Sequence, residues 1–324
     1  MNRPLSYAKA INEALRQSME LSESVVVLGQ LVDYKSGIFG TTSGLFDQFG
    51  PRRVLDFPVA ENLMTATAMG SALTGLRPVI VHQRLDFMIY SLDAITNWMS
   101  LWHFKSAGKS NMPVTIRAIV GKGWGQGPQH SKSLHAWFAH LPGLRVAVPA
   151  TADDAKGLLM ESIFSETPAI FIEGRGLFSM TANVPDKPYR VRFGKGVVRR
   201  AGSDVTLVAI GTMVPVALRA AATLEAEGID VEVFDPRTLA PLDREGIFTS
   251  VEKTRRLVVA DPAWQSFGAA AEIIASAAER FAGEFRANPR RFSLPDSHTP
   301  MSSALEKQYY AEDAVLADTI RKMM

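Results

Sequence analysis

The feature that most constrains this chain is an alternation. Short apolar runs of strand length recur, and stretches of helical periodicity separate most of them. SVVVLGQ, RVLDFP, RPVIVH, MPVTIRAIV, LRVAVPA and AIFIEG read as strands. Several are apolar throughout rather than at every second position, which is the pattern of strands buried on both faces. Between them, residues 5–22 place Ala8, Ile11, Ala14, Leu15 and Met19 at helical spacing. NLMTATAMGSALTG is a small-residue helix that can pack closely on other backbone. FMIYSLDAITNWMSLWHFKS reads as one long apolar helix. TADDAKGLLMESIF reads as a helix capped by Thr151, with Asp153 and Asp154 in its first turn. Strands alternating with helices imply an α/β fold with a parallel sheet.

The pattern loosens at TANVPDKPYRVRFGKG, which has two prolines and several charges and reads as a linker. A second alternating unit follows. DVTLVAIGT, IDVEVFDPR, RLVVAD and RFSLPD are its strands. Its helices run through VPVALRAAATLEAEG, from about Asp243 to Thr254, and from about Gly268 to Phe281, with a short terminal helix. The expected organisation is a first α/β domain over 1–185, a linker over 186–198 and a smaller α/β domain over 199–324. A length of 324 residues suits two domains.

Composition narrows the function. A formal net charge of +2 carries no nucleic-acid footprint. The absence of cysteine rules out disulfides and thiolate chemistry and removes the commonest structural zinc ligand. No apolar run approaches the ~20 residues that cross a bilayer. The N-terminal stretch carries Glu13 and Glu20 and lacks the apolar centre of a signal peptide. The expected location is the cytoplasm.

Four places can carry chemistry. Glu61, in PVAENLMTATAMG, is a carboxylate inside an apolar segment; by itself it reads as a first-turn acid complementing a helix dipole. HQRLDFMIY puts His82, Gln83, Arg84 and Asp86 at the end of a strand, where ligands of parallel sheets bind. Phe87 and Tyr90, spaced for one helix face, read as core. GKGWGQGPQHSKSLHAWFAH combines four glycines with His130, His135 and His140 at intervals of five, a spacing that suits no helical zinc site. It reads equally as a surface loop or an active-site loop. AIGTMVP lacks the spacing of a phosphate-binding turn and reads as an ordinary strand-to-helix connection.

Taken in order, LGQ, GIFG, PVAEN, TGLRPV, LDFM, GPQHSKSLHAWFAHLPGLRVAVPATADDAKGLL, AIFIE and PRTLAPLD resemble the beta subunits of thiamine-diphosphate-dependent 2-oxo acid dehydrogenases. These belong to the transketolase-like superfamily. The resemblance covers nearly the whole chain and is strongest from Gly29 to Glu173. It implies a pyrimidine-binding α/β domain followed by a transketolase C-terminal-like domain. It also implies decarboxylation of a 2-oxo acid and transfer of the acyl or acyloin unit to an acceptor such as a lipoyl domain. The resemblance implies a beta–beta dimer inside an α2β2 heterotetramer, with Mg²⁺ held mainly by the alpha subunit. A structural monovalent cation and a lipoyl-acyltransferase partner are compatible with it. By position, Glu61 matches the glutamate that hydrogen-bonds the aminopyrimidine ring nitrogen. Phe87 matches the aromatic packed on that ring. Gln83, Val59 and Gln30 fall near the cofactor, and His130 matches a histidine expected at the substrate or acceptor.

The chain also departs from the family pattern. Gly29-Gln30-Leu31 stands where GEE or GED is usual, so a carboxylate is replaced by an amide. VHQRLDF places His82 and Arg84 where neutral or acidic residues are commoner. Arg84 then meets an anionic group of the substrate or faces a partner chain. Ala260-Asp261-Pro262 replaces a glutamate pair. These departures leave substrate and acceptor open. Two other functions share the fold: the pyrimidine half of a split transketolase-like enzyme, and a non-catalytic assembly subunit.

Overall fold

The computed structural model describes residues 2–123, 125–310 and 312–324, with Asn2 described in its backbone only. The chain divides into two compact units. The first comprises 1–121 and 137–193, and the second comprises 122–136 and 194–324.

In the first unit, strands β2 (Val25–Gly29), β3 (Val54–Asp56), β4 (Arg77–His82), β5 (Thr115–Val120), β6 (Arg145–Ala147) and β7 (Ala169–Gly174) form a parallel sheet. Their order is β6-β7-β5-β4-β2-β3. Every residue of β2 and β7 is buried: β2 is apolar throughout, and the one charge in β7, Glu173, is paired at 2.6 Å with buried Arg117 of β5. Helices α1 (Tyr7–Leu21) and α7 (Ala152–Ile163) pack on this sheet, joining Ile11, Leu15, Leu158 and Leu159 to Val27 and Phe171 in one core. Thr151 caps α7 through the Asp154 N–H, as its sequence predicts. The short helix α2 (Leu45–Phe49) leads into β3, and α3 (Glu61–Leu73) packs against β4.

Two features differ from the sequence reading. The segment expected as one long apolar helix is a chain of short pieces. These are α4 (Leu85–Met88), a 3-10 turn (Ile89–Ser91), a π-helical stretch (Ala94–Met99) and α5 (Trp102–Lys105). Its polar side chains contend for backbone acceptors. Thr96 donates to the Leu92 carbonyl at 2.7 Å and Ser100 to the Thr96 carbonyl at 2.8 Å, a pattern that bends helices.

The second difference is an antiparallel pair, β1 (Asn2–Ser6) with β8 (Thr181–Pro185), which joins the first residues to the far end of the unit. Buried Lys156 locks it. Its Nζ donates to Glu13 Oε1 and to the Pro185 carbonyl, both at 2.6 Å, and Arg3 pairs with Glu13 and Asp186. Beyond β8, Tyr189 and Val191 press on α7 at Gly157, where any Cβ would lie 2.4 Å from Val191 Cγ2.

The second unit has a sheet of order β14-β13-β10-β11-β9. Its strands are β9 (Val197–Arg200), β10 (Val205–Ala209), β11 (Val231–Asp235), β13 (Leu257–Trp264) and β14 (Arg290–Leu294); the short strand β12 (Thr238–Ala240) is not part of this sheet. Only β9 runs antiparallel within that sheet. The short helix α6 (His135–Ala139) follows the glycine-rich loop. Helices α8 (Met213–Glu225), α9 (Arg244–Thr254), α10 (Ala269–Arg280), α11 (Ser303–Tyr309) and α12 (Asp313–Arg321) complete the chain. Among the described residues, no helix is long and apolar enough to cross a membrane.

Candidate active site

The carboxyl ends of β2, β4 and β7 lie along one edge of the parallel sheet, with β5 between β4 and β7, and this is the edge where such folds bind ligands. β2 ends at Gly29, where a Cβ would lie 2.7 Å from Val32 Cγ1 and 2.8 Å from the Val81 carbonyl oxygen. Only glycine permits that approach of backbone to backbone. The next residues turn sharply. Leu31 adopts φ +58 and donates its N–H to Asp56 Oδ1 at 2.5 Å, while Phe57 N–H donates to the Gly29 carbonyl at 2.9 Å. These bonds fix Gln30 between them.

Gln30 then reaches Glu61, the first residue of α3. Its Nε2 donates to Glu61 Oε1 at 3.4 Å. Glu61 is 8% exposed. It thus sits in the first turn of α3, with the helix N-terminus favouring its negative charge. From the other side Gln83 Nε2 donates to the Gln30 carbonyl at 3.3 Å, and Arg84 Nη1 donates to the Gln83 carbonyl at 2.7 Å. Glu61, Gln30, Gln83 and Arg84 therefore form one hydrogen-bonded run across the ends of β2 and β4. The buried Thr65–Ser91 hydroxyl pair, at 2.9 Å, ties α3 to the segment after Arg84.

The remaining sequence candidates are placed differently. Phe87 is half-buried in α4, its N–H donating to the Arg84 carbonyl. Val59, two residues before Glu61, is 82% exposed. Tyr90, read as core, is exposed. His82 is buried, its Nε2 meets no hydrogen-bond partner among the described residues, and burial pulls its pKa down to about 3. It is a neutral imidazole at any ordinary pH.

Two residues that sequence reading passed over stand beside Arg84. The Arg84 and Arg175 guanidinium carbons lie 5.1 and 4.8 Å from the centre of the Phe39 ring. Arg175 also lies 4.9 Å from the Phe178 ring, which stacks on buried Tyr7. Burial and the neighbouring Arg175 charge pull the Arg84 pKa below its usual value, with Asp86 opposing. Arg175 directly follows β7, so the rule that ligands gather at strand carboxyl ends was the available signal.

His130 lies in the second unit, half-buried, its N–H donating to the Gly127 carbonyl at 3.4 Å. The loop that carries it is held at several points, although Trp124 within it lies outside the described residues. Gly125 N–H donates to Glu306 Oε2 at 3.3 Å, and Lys122 Nζ lies 4.7 Å from the Tyr310 ring centre. At the loop's end, buried His135 Nε2 lies 2.9 Å from buried Asp261 Oδ1. Burial pushes the Asp261 carboxyl up. His135 and the Ala270 and Ala263 N–H groups outweigh it and hold the pKa below the ordinary value. Among the described residues, no three His, Cys, Asp or Glu side chains converge as a metal site requires.

The first unit suits the pyrimidine half of thiamine diphosphate. A buried carboxylate at a helix start, with one oxygen already oriented by an amide, can hold a protonated ring nitrogen on the other.

Comparison with known proteins agrees with this reading of the fold. Residues 3–180 match the transketolase pyrimidine-binding domain and residues 194–314 the transketolase C-terminal domain. The chain is 38% identical over 321 residues to the beta subunit of acetoin:2,6-dichlorophenolindophenol oxidoreductase from Bacillus subtilis, covering 95% of this chain and 94% of the relative. It is 36% identical over 321 residues to the beta subunit of the pyruvate dehydrogenase E1 component of the same organism, covering 99% and 98%. A solved split-gene transketolase, described as an inactive beta4 tetramer, superposes with a TM-score of 0.77 at 26% identity and 98% coverage of both chains. With both domains matched in order and relatives aligned over nearly their full length, this chain belongs to the transketolase-like family of thiamine-diphosphate-dependent 2-oxo acid dehydrogenase E1 beta subunits.

Proposed function

We propose that this chain works with an alpha subunit as a two-chain enzyme that decarboxylates a 2-oxo acid and passes the acyl or acyloin unit to an acceptor. The observation that carries this reading is Glu61: a buried carboxylate at the start of α3, hydrogen-bonded by Gln30 at the carboxyl edge of the sheet. Thiamine diphosphate, when bound, supplies the electron sink for cleavage beside the carbonyl. Glu61 shares a proton with its aminopyrimidine ring nitrogen. Gln30 donates to Glu61 Oε1, and the second carboxylate oxygen would serve that nitrogen. Phe87, Gln83 and Val59 would border the aminopyrimidine, and His130 would act as a hydrogen-bond donor towards the substrate, as the family resemblance implies. Mg²⁺ is held mainly by the alpha subunit, and the working assembly is an α2β2 heterotetramer located in the cytoplasm.

The acetoin relative favours a second substrate class, the 2-hydroxy ketones, cleaved by the same machinery. Ketol transfer of the transketolase kind has weaker support, since the split transketolase is 26% identical against 36–38% for the dehydrogenase-type relatives.

The test uses the chain co-purified with its alpha partner, thiamine diphosphate and Mg²⁺. A panel of 2-oxo acids and acetoin is offered, and CO₂ and aldehyde are followed. Turnover that needs both chains and is abolished by Glu61→Gln is expected. Undiminished turnover by Glu61→Gln would remove Glu61 from the chemistry. A folded complex inert towards the whole panel, yet active on sugar phosphates, would replace the reading with ketol transfer.

A further inference from the structure

Arg84 and Arg175 come from different strands, β4 and β7, yet both guanidiniums rest on Phe39, at 5.1 and 4.8 Å from its ring centre. Phe39 is itself held in an unusual way. It has φ +50, a left-handed conformation that is unfavourable for a non-glycine residue. Its ring meets Phe178 edge-on at 6.3 Å between centres, and Phe178 is anchored on buried Tyr7 at 5.8 Å. An aromatic wall rooted in the core thus carries two like charges.

Like charges brought together in a partly desolvated place repel, and a bound anion relieves that repulsion. Arg84 already donates Nη1 to the Gln83 carbonyl and has Asp86 nearby, but a guanidinium lying over a ring carries five N–H donors in its plane, enough for further bonds to an oxyanion. Both arginines are half-buried and Phe39 is 39% exposed, so the place is reachable from solvent. Arg84 is also the end of the hydrogen-bonded run that begins at Glu61.

We propose that Arg84 and Arg175, carried on Phe39, form an anion subsite that takes an oxyanion group at the end of the substrate remote from its reacting carbonyl, a carboxylate or a phosphate. This deepens the proposed function by naming a substrate class, and to that extent rests on it: the preferred substrate carries an anionic tail. His82, although neighbouring in sequence, is neutral and takes no part.

Two measurements separate failure of this subsite from failure of the wider reading. Calorimetric titration of the full chain, alone and as the two-chain complex, uses succinate and inorganic phosphate as probes and needs no turnover. Saturable binding is expected, weakened about 10- to 100-fold by either Arg84→Gln or Arg175→Gln. Arg84→Lys keeps the charge but loses the fork and is expected to recover only part. Succinate binding in preference to phosphate assigns a carboxylate tail, and the reverse assigns a phosphate. The second measurement is the ratio of kcat/KM for 2-oxo dicarboxylic or phosphorylated substrates to that for 2-oxo monocarboxylic substrates of equal length. It is expected to fall about 10- to 100-fold in either variant, mainly through KM. No arginine-dependent binding in either preparation overturns the subsite whether or not the enzyme turns over. So do variants that only weaken assembly with the alpha chain.

Discussion

The Gln30 side-chain amide donates to Glu61 Oε1 at 3.4 Å, joining the turn after β2 to the first residue of α3. The donor is neutral, where the family pattern that the sequence resembles implies a second carboxylate. The substitution replaces repulsion between like charges with a hydrogen bond to the ionised form. One carboxylate oxygen is thereby engaged.

Removing that donor is expected to loosen the carboxylate without unfolding the unit. Gln30→Leu is predicted to weaken thiamine diphosphate binding by the reconstituted complex about 3- to 10-fold, the worth of one modest hydrogen bond. Glu61→Gln is predicted to act mainly on kcat. Titrating cofactor against activity separates the two. Equal KM and kcat changes in both variants would contradict the assigned division of labour.

His82 predicts an acid-dependent stability. Its folded pKa of about 3 lies below the ordinary 6.5, so the unfolded chain binds the extra proton between these values. Stability therefore rises with pH through this window and falls on acidification below about pH 6.5. The slope from this one group is about 1.4 kcal/mol per pH unit near pH 5. His82→Leu removes the group that must charge and is expected to flatten the loss. Denaturant unfolding of both proteins at pH 7, 6 and 5 measures it, and parallel pH curves would refute the assignment.

Asp261 has the same sign of linkage as His82, in a lower pH window, because here it is the charged form that the fold favours. Its folded pKa lies below the unfolded value of about 3.8, so its contribution is present above pH 4 and is lost as pH falls through the folded value. Asp261→Asn leaves His135 beside a neutral amide and is predicted to cost about 3 kcal/mol at neutral pH. The gap between wild type and variant should narrow as pH falls below about 4 and acid protonates the Asp261 carboxyl. A gap that persists undiminished there would show that packing, not charge, sets the cost.

Glu306 is expected to act on the glycine-rich loop at a distance in sequence. Glu306→Ala removes the acceptor of the Gly125 N–H. Amide hydrogen exchange over residues 122–136 should quicken several-fold, with β5 and β10 unaffected. An unchanged exchange pattern would show that Met301, whose carbonyl and side chain also crowd Gly125 and Gly127, holds the loop unaided.

Much of this was legible along the chain. The apolar runs became β2, β4, β5 and β7, because strands buried on both faces admit little else. The Thr151 cap is local chemistry, decided within four residues. The 85–105 segment misled because apolar content alone signals a helix. The side-chain competition that breaks it into α, 3-10 and π turns depends on where each hydroxyl points. β1 and β8 were invisible because their partners lie about 180 residues apart, and pairing at that range leaves no periodicity to read.

The sequence by itself determined the two α/β units, the strand ends at which chemistry collects, and the presence of a carboxylate at the head of α3. Each rests on neighbours within a helical turn or a strand's length. Tertiary structure decided what those groups touch. His135 and Asp261 are 126 positions apart and meet at 2.9 Å, and Arg84 and Arg175 share Phe39 only because the sheet brings β4 and β7 to the same edge. Side-chain charge and hydrogen-bonding capacity are written in residue type, but the dielectric around a group and the partner it finds are properties of packing. That is why His82, read as a candidate for binding substrate, is a buried neutral ring, and why the unremarked Arg175 stands beside Arg84.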